Sequence, residues 1–169
     1  ALKELERQLE TPTSAVILEP FLQGAGGMRM VRTEFLQTVE KLVKASGALL
    51  IVDEVLTGFG RCGKLFAFQK ASISPDLIAL SKGLTGGFLP MGITMAKENI
   101  FKAFVGNDPK LTLWHGHSFT ANPLGCAAAN ASLDLLEKFP NRYEDLESRH
   151  KPYLEEIAKE NKICKPRLI

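Results

Sequence analysis

In the stretch LIALSKGLTGG, residues 77–87, a single lysine, Lys82, stands between an apolar run and a glycine-rich turn. A cation loses hydration at the end of a buried strand, and interior positions rarely keep one unless it is paired or used. Taken alone, the stretch also reads as a solvated helix start. A second polar group changes the weighing. In IVDEVLTGFGRCGK, Asp53 closes another apolar, β-rich run, and open α/β sheets bind ligands outside the carboxyl ends of their strands. If the two strands are close neighbours, an amine and a carboxylate face one crevice. That pair suits pyridoxal phosphate (PLP): the lysine forms a Schiff base with its aldehyde, and the acid keeps the pyridine nitrogen protonated. The other reading of Asp53, a helix cap or loop salt bridge, is disfavoured by the pairing with Lys82.

Other phosphate and metal patterns fail by order or by count. KGLTGG places the lysine before the glycines, the reverse of a Walker A loop, and GAGGMR has Arg29 where G-x-G-x-x-G needs its last glycine. WHGHSF offers His115 and His117 without a third ligand at a sensible spacing, so no metal site is expected. Ser118 and the amides before the next helix either hold a phosphate or form an ordinary capped loop. Glu19, ahead of Pro20, has the spacing of a structural salt bridge, and Arg61 that of an exposed cation.

The elements that must position these groups follow from periodicity. SAVILE (14–19), ALLIVD (48–53), LIAL (77–80) and MGITMA (91–96) read as short buried strands, and PFLQGAGGMRM as a loop. RTEFLQTVEKLVKASG carries Phe35, Leu36, Val39, Leu42 and Val43 at helical spacing, with Thr33 as N-cap and Gly47 as stop. A small-residue helix begins near Asn122 with Pro123 in its first turn, and charged helices open the chain and follow residue 141. Continuous apolar strands separated by helices predict an α/β fold whose mostly parallel sheet is covered on both faces. The 169 residues allow one domain. Their net charge of +2 is too small to argue for nucleic acid or an anionic membrane surface, and no apolar run is long enough to span a membrane. Three scattered cysteines, Cys62, Cys126 and Cys164, suit a reducing cytoplasm and small structural roles.

Taken together, LLIVDEVLTGFGRCGKLFA, Asp76 and ALSKGLTGG resemble the signature of the class III, ornithine-type, PLP-dependent aminotransferases. Within that class, EPFLQGAGGMRM and NPLGCAAANASLDLL are most similar to the subgroup that converts 8-amino-7-oxononanoate to 7,8-diaminononanoate in biotin synthesis, with S-adenosylmethionine or lysine as donor. The resemblance implies a fold-type-I enzyme, aspartate aminotransferase-like, working as a cytoplasmic homodimer on small molecules. It implies that Lys82 carries the cofactor and is the catalytic base, that Asp53 pairs with the pyridinium, and that Val55 packs against the ring. The HG-x-[ST]-F loop then crosses the dimer, so that Gly116 lines the partner's substrate pocket while His117 and Ser118 reach its cofactor phosphate. Arg61 lies beside the substrate.

The sequence departs from the family at Leu56, where relatives carry alanine or glutamine, and at His117 and Ser118, where some carry proline and threonine. The family's chains are much longer. Residues 1–169 are therefore expected to be roughly the second half of the large PLP-binding domain. A Gly-Ser phosphate loop and a ring-stacking tyrosine would precede residue 1, and a small domain with a carboxylate-binding arginine would follow residue 169. Alternatives on the same scaffold are an ω-amino-acid transaminase or a glutamate-1-semialdehyde-type aminomutase, which QGAGGMRM disfavours. A further alternative is an inactive module serving folding or dimerisation.

Overall fold

A computed structural model of the chain describes residues 1–140, 142–160 and 167–168. Cys164 and most of the closing KICKPRLI stretch lie outside the described residues. Helix α1 (Leu2–Leu9) leads into strand β1 (Ala15–Leu18), followed by β2 (Leu22–Gln23) and β3 (Arg29–Met30). Helix α2 (Thr33–Ser46) and β4 (Leu49–Asp53) come next, then a loop, α3 (Ala67–Ala71) and β5 (Leu77–Leu80). A 3-10 turn over Lys82–Thr85 precedes β6 (Ile93–Ala96), α4 (Glu98–Lys102), α5 (Pro123–Lys138) and α6 (Leu146–Glu160).

The main sheet has the order β1-β4-β5-β6, with the first three strands parallel and β6 antiparallel to β5. Its strands fall within the segments read from the sequence, trimmed by a residue or two at some ends. The supposed loop after β1 contains a small antiparallel ladder instead, with Leu22 opposite Met30 and Gln23 opposite Arg29. Two-residue strands leave too little alternation to be seen in a sequence.

The i, i+3, i+4 pattern of α2 turns Leu36, Val39 and Val43 onto Leu50 and Val52 of β4, all of them at most 3% exposed. Burial of each such side chain stabilises the fold by about 1.5–3 kcal/mol. Leu2, Leu5 and Leu9 of α1 pack onto the same cluster. Helix α2 stops at Gly47, whose φ of 76° is left-handed, as its sequence requires. Its start differs from expectation: Thr33 is the first helical residue, Arg32 holds the N-cap place, and no side chain caps it. Asn122, by contrast, does cap α5, its Oδ1 accepting the Gly125 N–H at 2.7 Å.

The sheet is not covered on both faces among the described residues. Ile17 is 62% exposed on the side opposite α2, and every residue of β6 is exposed. The alternation of β4, with Leu50 and Val52 buried but Leu49, Ile51 and Asp53 half-buried, reports the same asymmetry.

Asp76 sets the register of the three strands around the site. Its carboxylate accepts the Leu50 N–H at 2.8 Å and the Lys97 ammonium at 2.9 Å, and its own N–H donates to the Leu50 carbonyl at 2.7 Å. Burial works to raise its pKa, but the Leu50 and Lys97 bonds outweigh it and hold the pKa below the ordinary carboxylate value. A depressed carboxyl contributes stability that is present above the unfolded value, near pH 3.9, and lost as pH falls through the folded one. Asp76→Asn keeps the bond to Leu50 but loses the charge pair, so it should cost about 1 kcal/mol at pH 7. In urea titrations that difference should shrink below about pH 4; a difference independent of pH would exclude the charge-pair contribution.

Candidate active site

Asp53 and Lys82 come from neighbouring parallel strands. Asp53 pairs in register with Ala79 of β5, and Lys82 follows that strand directly, so both groups stand at its carboxyl end. The two strands sit side by side because β4 runs from the buried floor under α2 while Asp76 bolts the start of β5 to Leu50. Asp53 is half-buried, and its Oδ1 accepts the Val55 N–H at 3.0 Å. No other hydrogen bond reaches its carboxylate among the described residues, which leaves Oδ2 available.

Lys82 is exposed in this chain, against the expectation of a buried amine. The apolar run before it is real, but the chain turns out of the sheet at Ser81 and carries the lysine onto the turn. Lys82 has a φ of 40°, in the left-handed region that a lysine avoids at a cost of about 1–3 kcal/mol. Such a conformation persists only where the surroundings impose it, and it occurs most often at functional positions.

The remaining expected residues divide into two groups. Val55 and Leu56 are half-buried on the loop after β4, and Arg61 is exposed on its far side. Leu56 lies close under the loop of residues 19–24: a Cβ on Gly24 would stand 2.7 Å from Leu56 Cδ2. Glu19 forms no salt bridge among the described residues; its Oε2 accepts the Gly24 N–H at 2.9 Å and fixes that loop from within. Gly116, His117 and Ser118 are exposed, and the bonds of their stretch stay inside it. The His117 N–H donates to Thr120 Oγ1 at 2.9 Å, and the Phe119 N–H donates to His117 Nδ1 at 3.1 Å. This loop is thus not joined to Lys82 and Asp53 by any hydrogen bond of the same chain.

Glu54, which sequence reasoning passed over, is fully buried. Side chains alternate along a strand, so the acid after Asp53 faces the core with Val52. There its carboxylate accepts the Ala67 and Phe68 N–H groups at 2.9 and 2.7 Å and the Thr57 hydroxyl at 2.9 Å. These bonds cap the short helix α3 and tie it to the strand that ends in Asp53. Burial raises its pKa, partly opposed by those three donors. A second acid beside a strand-terminal Asp is the signal that would have found it: on the core side, a carboxylate must be bonded. Glu54→Gln offers one oxygen where two are used and sets an amide N–H against a donor. It should cost about 1.5–3 kcal/mol, read from the urea midpoint. Cys62, also buried in this loop, is an inert thiol, pushed up to about 11 by burial and by the charge of Glu54.

An amine and a carboxylate on adjacent parallel strands have the donor set that PLP needs, since its aldehyde carbon and ring nitrogen lie at opposite ends of one ring. Comparison with known proteins agrees. The family model for aminotransferase class-III matches residues 1–166. The chain belongs to the class-III aminotransferases. The adenosylmethionine-8-amino-7-oxononanoate aminotransferase of Synechococcus elongatus is 58% identical over 155 residues, 92% of this chain and 37% of that protein. A Bacillus anthracis aminotransferase of known structure superposes with a TM-score of 0.83 at 35% identity, covering 94% of this chain and 36% of the other. The ornithine aminotransferase of Toxoplasma gondii, described with partial PLP occupancy at its active site, gives a TM-score of 0.82 at 29% identity, over 95% of this chain and 36% of its own. This class-III aminotransferase chain therefore spans little more than a third of the length of the relatives it matches. Its α/β architecture and mostly parallel sheet are those of the PLP aminotransferases.

Proposed function

We propose that the protein is a PLP-dependent aminotransferase that aminates 8-amino-7-oxononanoate to 7,8-diaminononanoate in biotin synthesis, with S-adenosylmethionine or lysine as donor. The observation that carries the reaction type is Asp53 in register with Ala79, which sets the acid beside the strand that delivers Lys82. The substrate rests on the name of the Synechococcus relative and its 58% identity. When bound, PLP supplies the electron-withdrawing ring that lets an amino group and a proton change places between donor and acceptor.

The chain's own residues would do the rest. Lys82 would hold the cofactor through its aldehyde and, as general base, would move a proton at the substrate carbon. Asp53 would hold the ring nitrogen protonated through its free oxygen, while Oδ1 accepts the Val55 N–H and holds the carboxylate still. Val55 packs against the ring and Arg61 borders the substrate side. The chain contributes part of the large PLP-binding domain.

The loop with Gly116, His117 and Ser118 serves the partner subunit of a homodimer in this reading. In support, Leu113, Trp114 and Phe119 are 62%, 82% and 75% exposed, an apolar arm left uncovered among the described residues. A cytoplasmic setting fits the free thiols Cys62 and Cys126. The test is a product assay on the PLP-loaded enzyme with 8-amino-7-oxononanoate and each donor in turn. Formation of 7,8-diaminononanoate is expected; transfer only to short ω-oxo acids would replace this reading with an ω-transaminase.

A further inference from the structure

The left-handed backbone of Lys82 sits in a turn closed by its own bonds, Leu84 N–H to the Ser81 carbonyl at 2.9 Å and Gly87 N–H to the Lys82 carbonyl at 3.3 Å, and two contacts from outside that turn meet at the next residue. Ser132 of α5 donates its hydroxyl to the Gly83 carbonyl at 3.1 Å, across 49 positions of sequence. On the other side, a Cβ at Gly83 would stand 3.0 Å from the Phe59 side chain. Phe59 belongs to the loop that follows Asp53, and its own φ is 59°. The turn is thereby clamped between α5 and the Asp53 loop. Helix α5 can approach because Gly125 and Ala129, on the side of Ser132, are buried and small. The Ser81 and Thr85 hydroxyls donate to the Met91 and Leu89 carbonyls at 2.6 Å, which anchors the two ends of the turn to the segment that follows it. The Gly83 carbonyl also accepts the Gly86 N–H at 3.0 Å within the turn, and among the described residues Ser132 is the side chain that bonds it from another element.

We propose that Ser132 is a positioning residue for Lys82: through the Gly83 carbonyl it holds the strained backbone that aims the amine. The role of the amine rests on the PLP reading above; the clamp itself does not. Ser132 touches neither cofactor nor substrate in this proposal.

Amide hydrogen exchange on the cofactor-free protein tests the clamp. Ser132→Ala should speed exchange at Gly83, Leu84 and Gly86 by about fivefold or more, the population change that follows loss of one hydrogen bond. Exchange in α2 and β4 should stay as it was, and Ser132→Thr, which keeps the hydroxyl, should restore protection at the turn. With PLP bound, Ser132→Ala should shift the pH midpoint of the cofactor's visible absorbance and lower kcat with little change in KM. Unchanged exchange at the turn, or an increase spread evenly through the chain, overturns the proposal. So does faster exchange at the turn with an unmoved absorbance midpoint, since Lys82 would then be aimed without Ser132. Should the unsubstituted protein show no PLP absorbance, the PLP reading falls, and the exchange pattern alone decides whether Ser132 holds the turn.

Discussion

Lys82→Ala should abolish transamination, with turnover reduced by more than about 10⁴-fold. General base catalysis alone accounts for about 10²–10⁴, and the covalent anchor is lost with it. Borohydride reduction of the PLP-loaded wild-type enzyme, followed by peptide mapping, should leave the pyridoxyl group on Lys82. The variant should retain no label, although PLP held through its phosphate remains weakly bound. The fold should be unaffected, because the Lys82 side chain is exposed and takes part in no hydrogen bond or ion pair among the described residues. Alanine even relaxes little of the backbone, as it too avoids a φ of 40°. A label on another lysine would sink the assignment.

Asp53→Asn has the second largest expected effect. Its Oδ1 can still accept the Val55 N–H, so the loop and the ladder to Ala79 should survive and the urea midpoint should move little. What disappears is the negative charge that keeps the pyridine nitrogen protonated. Without it the ring withdraws electrons poorly, and kcat should fall by at least about 10²-fold, equal to about 2.7 kcal/mol of barrier. A loss within about tenfold, or 1.4 kcal/mol, would mean that the acid does not serve the ring. The absorbance of bound PLP separates the two outcomes further, since loss of ring protonation should alter its spectrum even where binding persists.

The two variants probe groups of very different local character. Asp53 is half-buried and tied to Val55, so its position is set by the strand it terminates. Lys82 is held by a turn whose backbone is strained and which is met by two separate parts of the chain, α5 through Ser132 and the Asp53 loop through Phe59. Errors in placing Lys82 should therefore arise from mutations far away in sequence, whereas Asp53 should be sensitive mainly to changes in β4.

The sequence alone marked the four strands of the main sheet and helices α1, α2, α5 and α6, and it singled out the two groups proposed to carry the chemistry. LLIVD and LIAL are continuous apolar runs closed by a polar residue, and such runs have few other ways to bury themselves. Gly47 and Asn122-Pro123 mark helix ends because their effects are local, acting within one turn of backbone. Asp53 and Lys82 were legible for the same reason: each directly follows or ends such a run. Only the tertiary structure decided the rest. That β4 lies between β1 and β5, with Asp53 opposite Ala79, depends on pairing between distant segments, which no local pattern specifies. That Glu54 is a buried cap depends on α3 arriving from 13 residues away. That Lys82 leaves the sheet exposed and left-handed, with Ser132 and Phe59 meeting at the next residue, is a matter of how distant segments pack. Local backbone preferences travel only a few residues along the chain, while the groups that clamp a strained turn are gathered by packing from wherever the fold brings them.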